Sequence, residues 1–454
     1  MLKLSLKSTV TLSLVVSTLI ALTTHAQDDL TGQLEILHHA VLPEMEPEQM
    51  SSGSRRSLSG DAAGHAQHLR FEALGRVFDL TLESNHELIA QLSAEQTSTM
   101  LHGVRLFRGT LNDVTDSWVR LAKSGDRWSG MIWDGAELFV IDPVDEVKRA
   151  LPGRSASASP AQRRSDSGDA ANIIYRLADA ENPDASQCGL ESGDETQRLA
   201  REFAAIKSLL QGAPPLAQMA LSGEAIEVVV VADTQMVSEF GANTAFAVTS
   251  RMNVVDGIFD AQVGVAISLV EIVELAMNGP LTATDAGQLL VQFRQMNASG
   301  EIDNPGLAHL FTGRDLDGRT AGIAYVGALC SRGFGTGLSE VGGSGTGGAI
   351  TVAHEMGHNF GASHDNQSGS PCASTPSGFL MNPSLNNGGD TFSQCSLDSI
   401  ESEVMQAQCL VPVPEPEMHQ SLALSALPLF AFWRQRSRQS LRRRAEHGHW
   451  AGLR

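Results

Sequence analysis

Residues 354–365 read HEMGHNFGASHD, and their spacing constrains the local fold more than any other stretch of the chain. His354 and His358 are four positions apart, so on a helix their imidazoles share one face about one turn apart. Glu355 is rotated from His354 by roughly 100°, which keeps its carboxylate out of the pair while leaving it close by. Gly361 comes next, where a helix would otherwise run on past the pair. Glycine tolerates the left-handed backbone that ends a helix, so the chain can turn back and return His364 to the same point. Imidazole nitrogens bind zinc at about 2.0–2.1 Å, and three neutral donors leave a tetrahedral ion one open position. Glu355 then stands beside that position as a base for a water. For His354 and His358 alone, a histidine-rich helix end with ordinary hydrogen bonds is an alternative. The full H-E-x-x-H-x-x-G-x-x-H string leaves that alternative little room.

The surrounding composition excludes one class of partner. Residues 221–412 carry five arginines, no lysine and twenty acidic residues, within a chain of formal net charge −20. Such a surface repels phosphate backbones, so no nucleic acid is expected as a partner.

The 454 residues allow more than one domain. Lys3 and Lys7 precede an apolar run from Val10 to Leu22, and Thr-His-Ala before Gln27 suits cleavage. Residues 1–26 therefore read as an export signal, with a first membrane helix as the alternative. Export places the cysteines in an oxidising compartment. Between about 30 and 150, VRLFRGT, SWVRLAK, RWSGMIWD and AELFVIDP are strand-like runs separated by Gly, Asp and Asn, which predicts a β-rich domain. The segment 151–221 reads as linker, opening with the Ser-, Ala- and Arg-rich GRSASASPAQRRSDSGDA. Residues 222–412 alternate strand and helix, from IEVVVVAD through QVGVAISLVEIVEL, DAGQLLVQFRQMN and AGIAYVGALC. Phe246, Val248, Met252, Val255 and Phe259 add helical spacing over 244–259. The pattern predicts an α/β or α+β domain, a sheet packed against helices.

Downstream of the histidines, GFLMNP places Met381 seventeen residues after His364, before a turn-forming Asn-Pro. A methionine there suits packing under the metal, the Met-turn that accompanies the extended motif. With these residues the chain resembles the metzincin zinc metalloproteases, specifically the adamalysin or reprolysin (ADAM-like) family. The likeness rests on HEMGHNFGASHD, IEVVVVAD, GIAYVGALC and Met381, and covers about 190 residues. It implies a twisted, mostly parallel sheet with one antiparallel edge strand, helices behind it, and a small C-terminal subdomain. It also implies His354, His358 and His364 as zinc ligands, Glu355 as catalytic base, one catalytic Zn2+, and protein or peptide substrates. Asp365 would be structural, orienting the turn.

The chain has five cysteines. Four of them, Cys330, Cys372, Cys395 and Cys409, allow three pairings. The resemblance favours Cys330–Cys409 and Cys372–Cys395. Cys188, in ASQCGL, lies upstream as a surface thiol, an intermolecular disulfide, or a cysteine switch whose thiolate fills the open position on the metal. Cys-Gly looks like the switch of reprolysin propeptides, and HGVRLFRGTLN and GAELFVIDP are similar to that propeptide. Residues 27–221 would then be a propeptide and the chain's own inhibitor. A cut at the basic AQRRSD stretch would leave the thiol attached, so a second cut before 221 is expected. The family often carries Ca2+, and Glu227 falls where one ligand is expected. The second acidic position does not align in EIDNPGLAHLF, so calcium is not supported.

After VPVPEP, residues 413–454 hold the short apolar run SLALSALPLFAFW and a basic end. They resemble bacterial C-terminal sorting tags of the PEP-CTERM type, which implies transient membrane anchoring; an unstructured basic tail is the alternative. The expectation is an exported zinc endopeptidase made as a zymogen. A catalytically silent zinc-binding surface or adhesion protein of the same fold is the rival, and a base beside the metal argues against it.

Overall fold

The computed structural model describes residues 35–49, 66–149, 171–181, 187–191, 223–341, 345–385 and 389–413. The expected leader, the basic stretch at 161–166 and the tail from 414 lie outside the described residues. Among those described, no helix is long and apolar enough to cross a membrane.

An N-terminal domain is built on one antiparallel sheet of nine strands. In chain order these are β1 (His39–Leu42), β2 (Glu48–Gln49), β3 (Gln67–Ala73), β4 (Arg76–Ser84), β5 (Val104–Leu111), β6 (Trp118–Ser124), β7 (Arg127–Trp133), β8 (Leu138–Pro143) and β9 (Asn172–Arg176). Their spatial order is β1-β9-β8-β7-β6-β5-β4-β3-β2. The four strands legible in the sequence are β5 to β8. Strand β9 returns from beyond the Ser/Arg-rich stretch to pair with both β8 and β1. Side chains alternate between two cores, as the two-residue period of a strand requires. Phe107, Leu121, Ile132 and Ile141 face one core of this sheet, while Leu106, Ala122, Met131 and Val140 face the other domain.

The second domain carries β10 (Gln187–Cys188), β11 (Glu224–Ala232), β12 (Val265–Glu274), β13 (Leu307–Thr312), β14 (Thr320–Ala324), β15 (Thr336–Glu340) and β16 (Val411–Pro412). The order β10-β14-β15-β13-β11-β12 has β11, β12, β13 and β15 parallel, and β14 antiparallel to β15. Without the short β10, which pairs outside it, β14 is the antiparallel edge strand of the mostly parallel sheet that the sequence resemblance implies. The sequence predicts one strand over AGIAYVGALC, but only its first part belongs to β14. The rest turns, and Cys330 has positive φ. Helices α1 (Ala94–Thr99), α2 (Val144–Arg149) and α3 (Thr234–Phe240) are short. Val229 and Val231 point to helix α5 (Ala286–Ala298) through Leu289, Leu290 and Phe293, whereas Val228 and Val230 point to the opposite side.

That opposite side holds helix α4 (Thr244–Val263), which meets both sheets. Every residue from Thr244 to Phe259 is buried, so the helix has no solvent face over that span. Helical spacing in the sequence marks one apolar stripe; the other faces are covered by the N-terminal sheet. There Asn253 Nδ2 donates to Phe107 O and Leu121 O at 3.1 and 3.0 Å. Arg120 Nε donates to Asp256 Oδ2 at 3.0 Å, and Arg120 Nη2 to Asp260 Oδ2 at 3.0 Å.

Candidate metal centre

Helix α6 (Gly348–Asn359) carries the first two histidines and the glutamate. All of its residues but Thr351 are buried, and it packs between α4 and strands β14 and β15. Its C-terminal carbonyls are taken by the chain after β14: Gly327 N donates to His358 O at 2.8 Å and Ala328 N to Asn359 O at 2.9 Å. Gly361 then adopts φ +98°, which an L side chain avoids, and the chain reverses as the sequence requires. Ala362 N donates back to Gly357 O at 3.0 Å. His364 is thereby returned to the first two histidines.

The three Nε2 atoms lie 3.1, 3.1 and 3.2 Å apart. Each Nδ1 faces an oxygen that can only accept: Leu380 O at 2.7 Å, Ala362 O at 2.8 Å and Gln367 Oε1 at 2.8 Å, for His354, His358 and His364 respectively. The Nδ1 atoms therefore carry the protons, and three Nε2 lone pairs converge with no proton among them. Burial holds His354 down to about 3, His364 down to about 4, and His358 well below its ordinary value, so all three rings are neutral. Three acceptors facing one another repel unless a cation lies between them. A tetrahedral zinc with 2.0–2.1 Å arms separates its nitrogens by about 3.3 Å, close to the spacing here. The residues fit that ion.

Cys188 comes to the same point from the edge of the sheet. Its Sγ lies 3.5 Å from His358 Nε2 and 3.7 Å from Glu355 Oε2. The donor atoms of Cys188, His354, His358 and His364 all fall within 4.8 Å of one another, and all four residues are buried. Two backbone bonds thread the cysteine segment: Gln187 N donates to Arg319 O at 2.7 Å, and Cys188 N to Pro383 O at 3.0 Å. The segment thus occupies the groove between strand β14 and the turn after Met381, pairing parallel with β14.

Glu355 is fully buried, and among the described residues its Oε1 has no hydrogen-bond partner. Burial raises its carboxyl well above the usual range, with the Cys188 thiol acting in the opposite direction. Met381 is buried below the site, against α6 where Gly357 has no side chain. Asp365 accepts from Ser393 Oγ at 2.8 Å, the residue that caps helix α7 (Gln394–Val404), and so ties the returning turn to that helix. Disulfides join Cys330 to Cys409 and Cys372 to Cys395. Glu227 is half-buried on β11 and lies outside the metal-type cluster.

Gln367 and Leu380 were not singled out in the sequence. Gln367 follows His364 by three positions, a spacing that could have suggested it; Leu380 acts through its carbonyl, which any residue has.

The family description Metallo-peptidase family M12 (Reprolysin_5) matches residues 222–393. A disintegrin and metalloproteinase with thrombospondin motifs 18 of Homo sapiens is 35% identical over 210 residues, which span 42% of this chain and 17% of that protein. Snake venom metalloproteinase acutolysin-C of Deinagkistrodon acutus is 30% identical over 175 residues, 37% of this chain and 41% of that protein. The chain therefore spans less than half of either relative. Metalloproteinase-II from Bacteroides fragilis aligns structurally with a TM-score of 0.44 at 14% identity, over 76% of this chain and 93% of that one.

Proposed function

From the premise that residues 222–393 are a reprolysin-type metallopeptidase domain of the M12 family, we propose that the chain is an exported zinc-dependent endopeptidase made as a zymogen. The observation that carries this reading is the convergence of three unprotonated imidazole nitrogens beside a buried carboxylate. His354, His358 and His364 would hold the ion. When bound, zinc polarises a peptide carbonyl and makes a neighbouring water acidic. The chain's own part is proton handling. Glu355 accepts the attacking water's proton and passes it to the leaving amine. No side-chain nucleophile is needed.

Residues 27–221 act in this reading as an inhibitory propeptide. Cys188 stands where water and substrate would have to enter, and the Gln187–Cys188 strand fills the groove along β14. Displacement of that strand opens the site to peptide substrates.

The test uses the full chain after limited proteolysis that releases the propeptide through Cys188, with a fluorogenic peptide. Cleavage should vanish with a chelator and return with zinc. Glu355→Ala should keep stoichiometric zinc and lose cleavage. Full activity in that variant would reject the assigned base, and released protein holding no zinc would reject the site.

A further inference from the structure

Strand β14 forms one wall of the groove and lies directly over α6. Gly322 on this strand pairs with Ser339 of β15 on one side and with Cys188 of β10 on the other. Its φ is not in the left-handed region, so its backbone does not require glycine. The requirement comes from Glu355. A Cβ at position 322 would lie 2.7 Å from Glu355 Cγ, 2.7 Å from its Oε1 and 2.9 Å from its Cδ. Non-bonded carbon atoms settle at about 3.5–4.0 Å, so one of the two parts must move.

The strand is held along one edge by β15 and, in the full chain, along the other by β10, whereas the Glu355 arm is a side chain with rotatable torsions and an Oε1 that nothing holds among the described residues. The imidazoles cannot follow it, because Leu380 O and Ala362 O fix His354 and His358. The clash therefore falls on the carboxylate alone. We propose that Gly322 is a positioning residue: the space left by its missing side chain determines where the Glu355 carboxylate lies relative to the three imidazoles. The catalytic consequence rests on the endopeptidase reading above; the steric claim does not.

The experiment compares wild type with Gly322→Ala, both as full chain with zinc, by crystal structure and, after release of the propeptide through Cys188, by peptide kinetics. In Gly322→Ala the three imidazoles should superpose on those of wild type while the Glu355 carboxylate is displaced. Zinc content should be unchanged. A displacement on the order of 1 Å should lower kcat by about 100-fold. KM should stay within about twofold, since ground-state binding is not touched. Combining Gly322→Ala with Glu355→Asp, whose shorter arm avoids the new methyl, should give a loss smaller than the product of the two single losses.

An unmoved carboxylate, an unchanged kcat, or multiplicative losses in the double variant would each overturn the proposal. So would failure of Gly322→Ala to fold, because the strand and not the side chain would then be yielding. If wild type itself cleaves nothing, the endopeptidase reading falls, and the position of the carboxylate in the two crystal structures still decides the role of Gly322.

Discussion

Of the three proposed ligands only His364 lies beyond the helix, and a single side chain aims its ring: Gln367 Oε1 accepts from Nδ1 at 2.8 Å. The other two rings are aimed by main-chain carbonyls, which no substitution of a side chain removes. Gln367→Ala should therefore weaken zinc binding by about 10- to 100-fold while leaving the other two ligands in place, as loss of a ligand's hydrogen-bond partner does elsewhere. Competition against a chromophoric chelator reads this directly; unchanged affinity would show that the turn at Gly361 alone orients the ring. At this scale the sequence was informative where chemistry depends on residue type at fixed spacing. His354, Glu355, His358, Gly361 and His364 are brought together as their spacing requires. The carbonyls of Leu380 and Ala362 and the space at Gly322 were not legible, because a carbonyl has no signature and an absent side chain matters only against its neighbour.

Helix α4 shows where periodicity stops informing. Phe246, Val248, Met252, Val255 and Phe259 mark it as a helix, yet Asn253 and Asp256 on the same helix are buried as well. A sequence pattern assigns polar residues to solvent by default. Here the N-terminal sheet covers them, and Asn253 donates to carbonyls on two neighbouring strands, Phe107 on β5 and Leu121 on β6. Asn253→Ala would leave both carbonyls buried without that donor, each costing about 1–3 kcal/mol if no water replaces it. The expected outcome is a lower urea midpoint for the full chain. A midpoint equal to wild type would mean that the two carbonyls are satisfied otherwise. By contrast, the mostly parallel character of the second domain's sheet followed from its alternation of strand and helix together with the family likeness, since parallel neighbours need crossover helices.

Across the whole molecule, the two domains also meet at the start of α6, a contact nothing in the sequence announced. Asp142 of β8 accepts from Thr346 N at 2.8 Å, from Thr346 Oγ1, and from Tyr175 OH at 2.8 Å. Ser129 reaches the same threonine, and Glu146, Arg127 and Arg251 form a buried charged group alongside. Burial, with the Glu146 carboxylate nearby, pushes Asp142 up to about 7 against the pull of its donors. A carboxyl whose folded value is raised above its exposed one favours the assembled state at low pH. That contribution is lost as pH rises from about 4 through about 7. Wild type should therefore lose stability relative to Asp142→Asn across this window, read as the difference in their urea midpoints at each pH. Parallel curves would show that the carboxyl keeps the same affinity for protons after unfolding.

Strand β9 has a consequence for how such a molecule could be dismantled. It follows the Arg163–Arg164 pair in the chain, yet it is stitched between β8 and β1, which precede that pair. A scission at the arginines severs the covalent thread but not the sheet, so the upstream fragment stays attached through β9 and Cys188 stays in the groove. In the zymogen reading proposed above, the segment carrying Cys188 and the sheet upstream of the arginines are interlaced, and both would have to come away together.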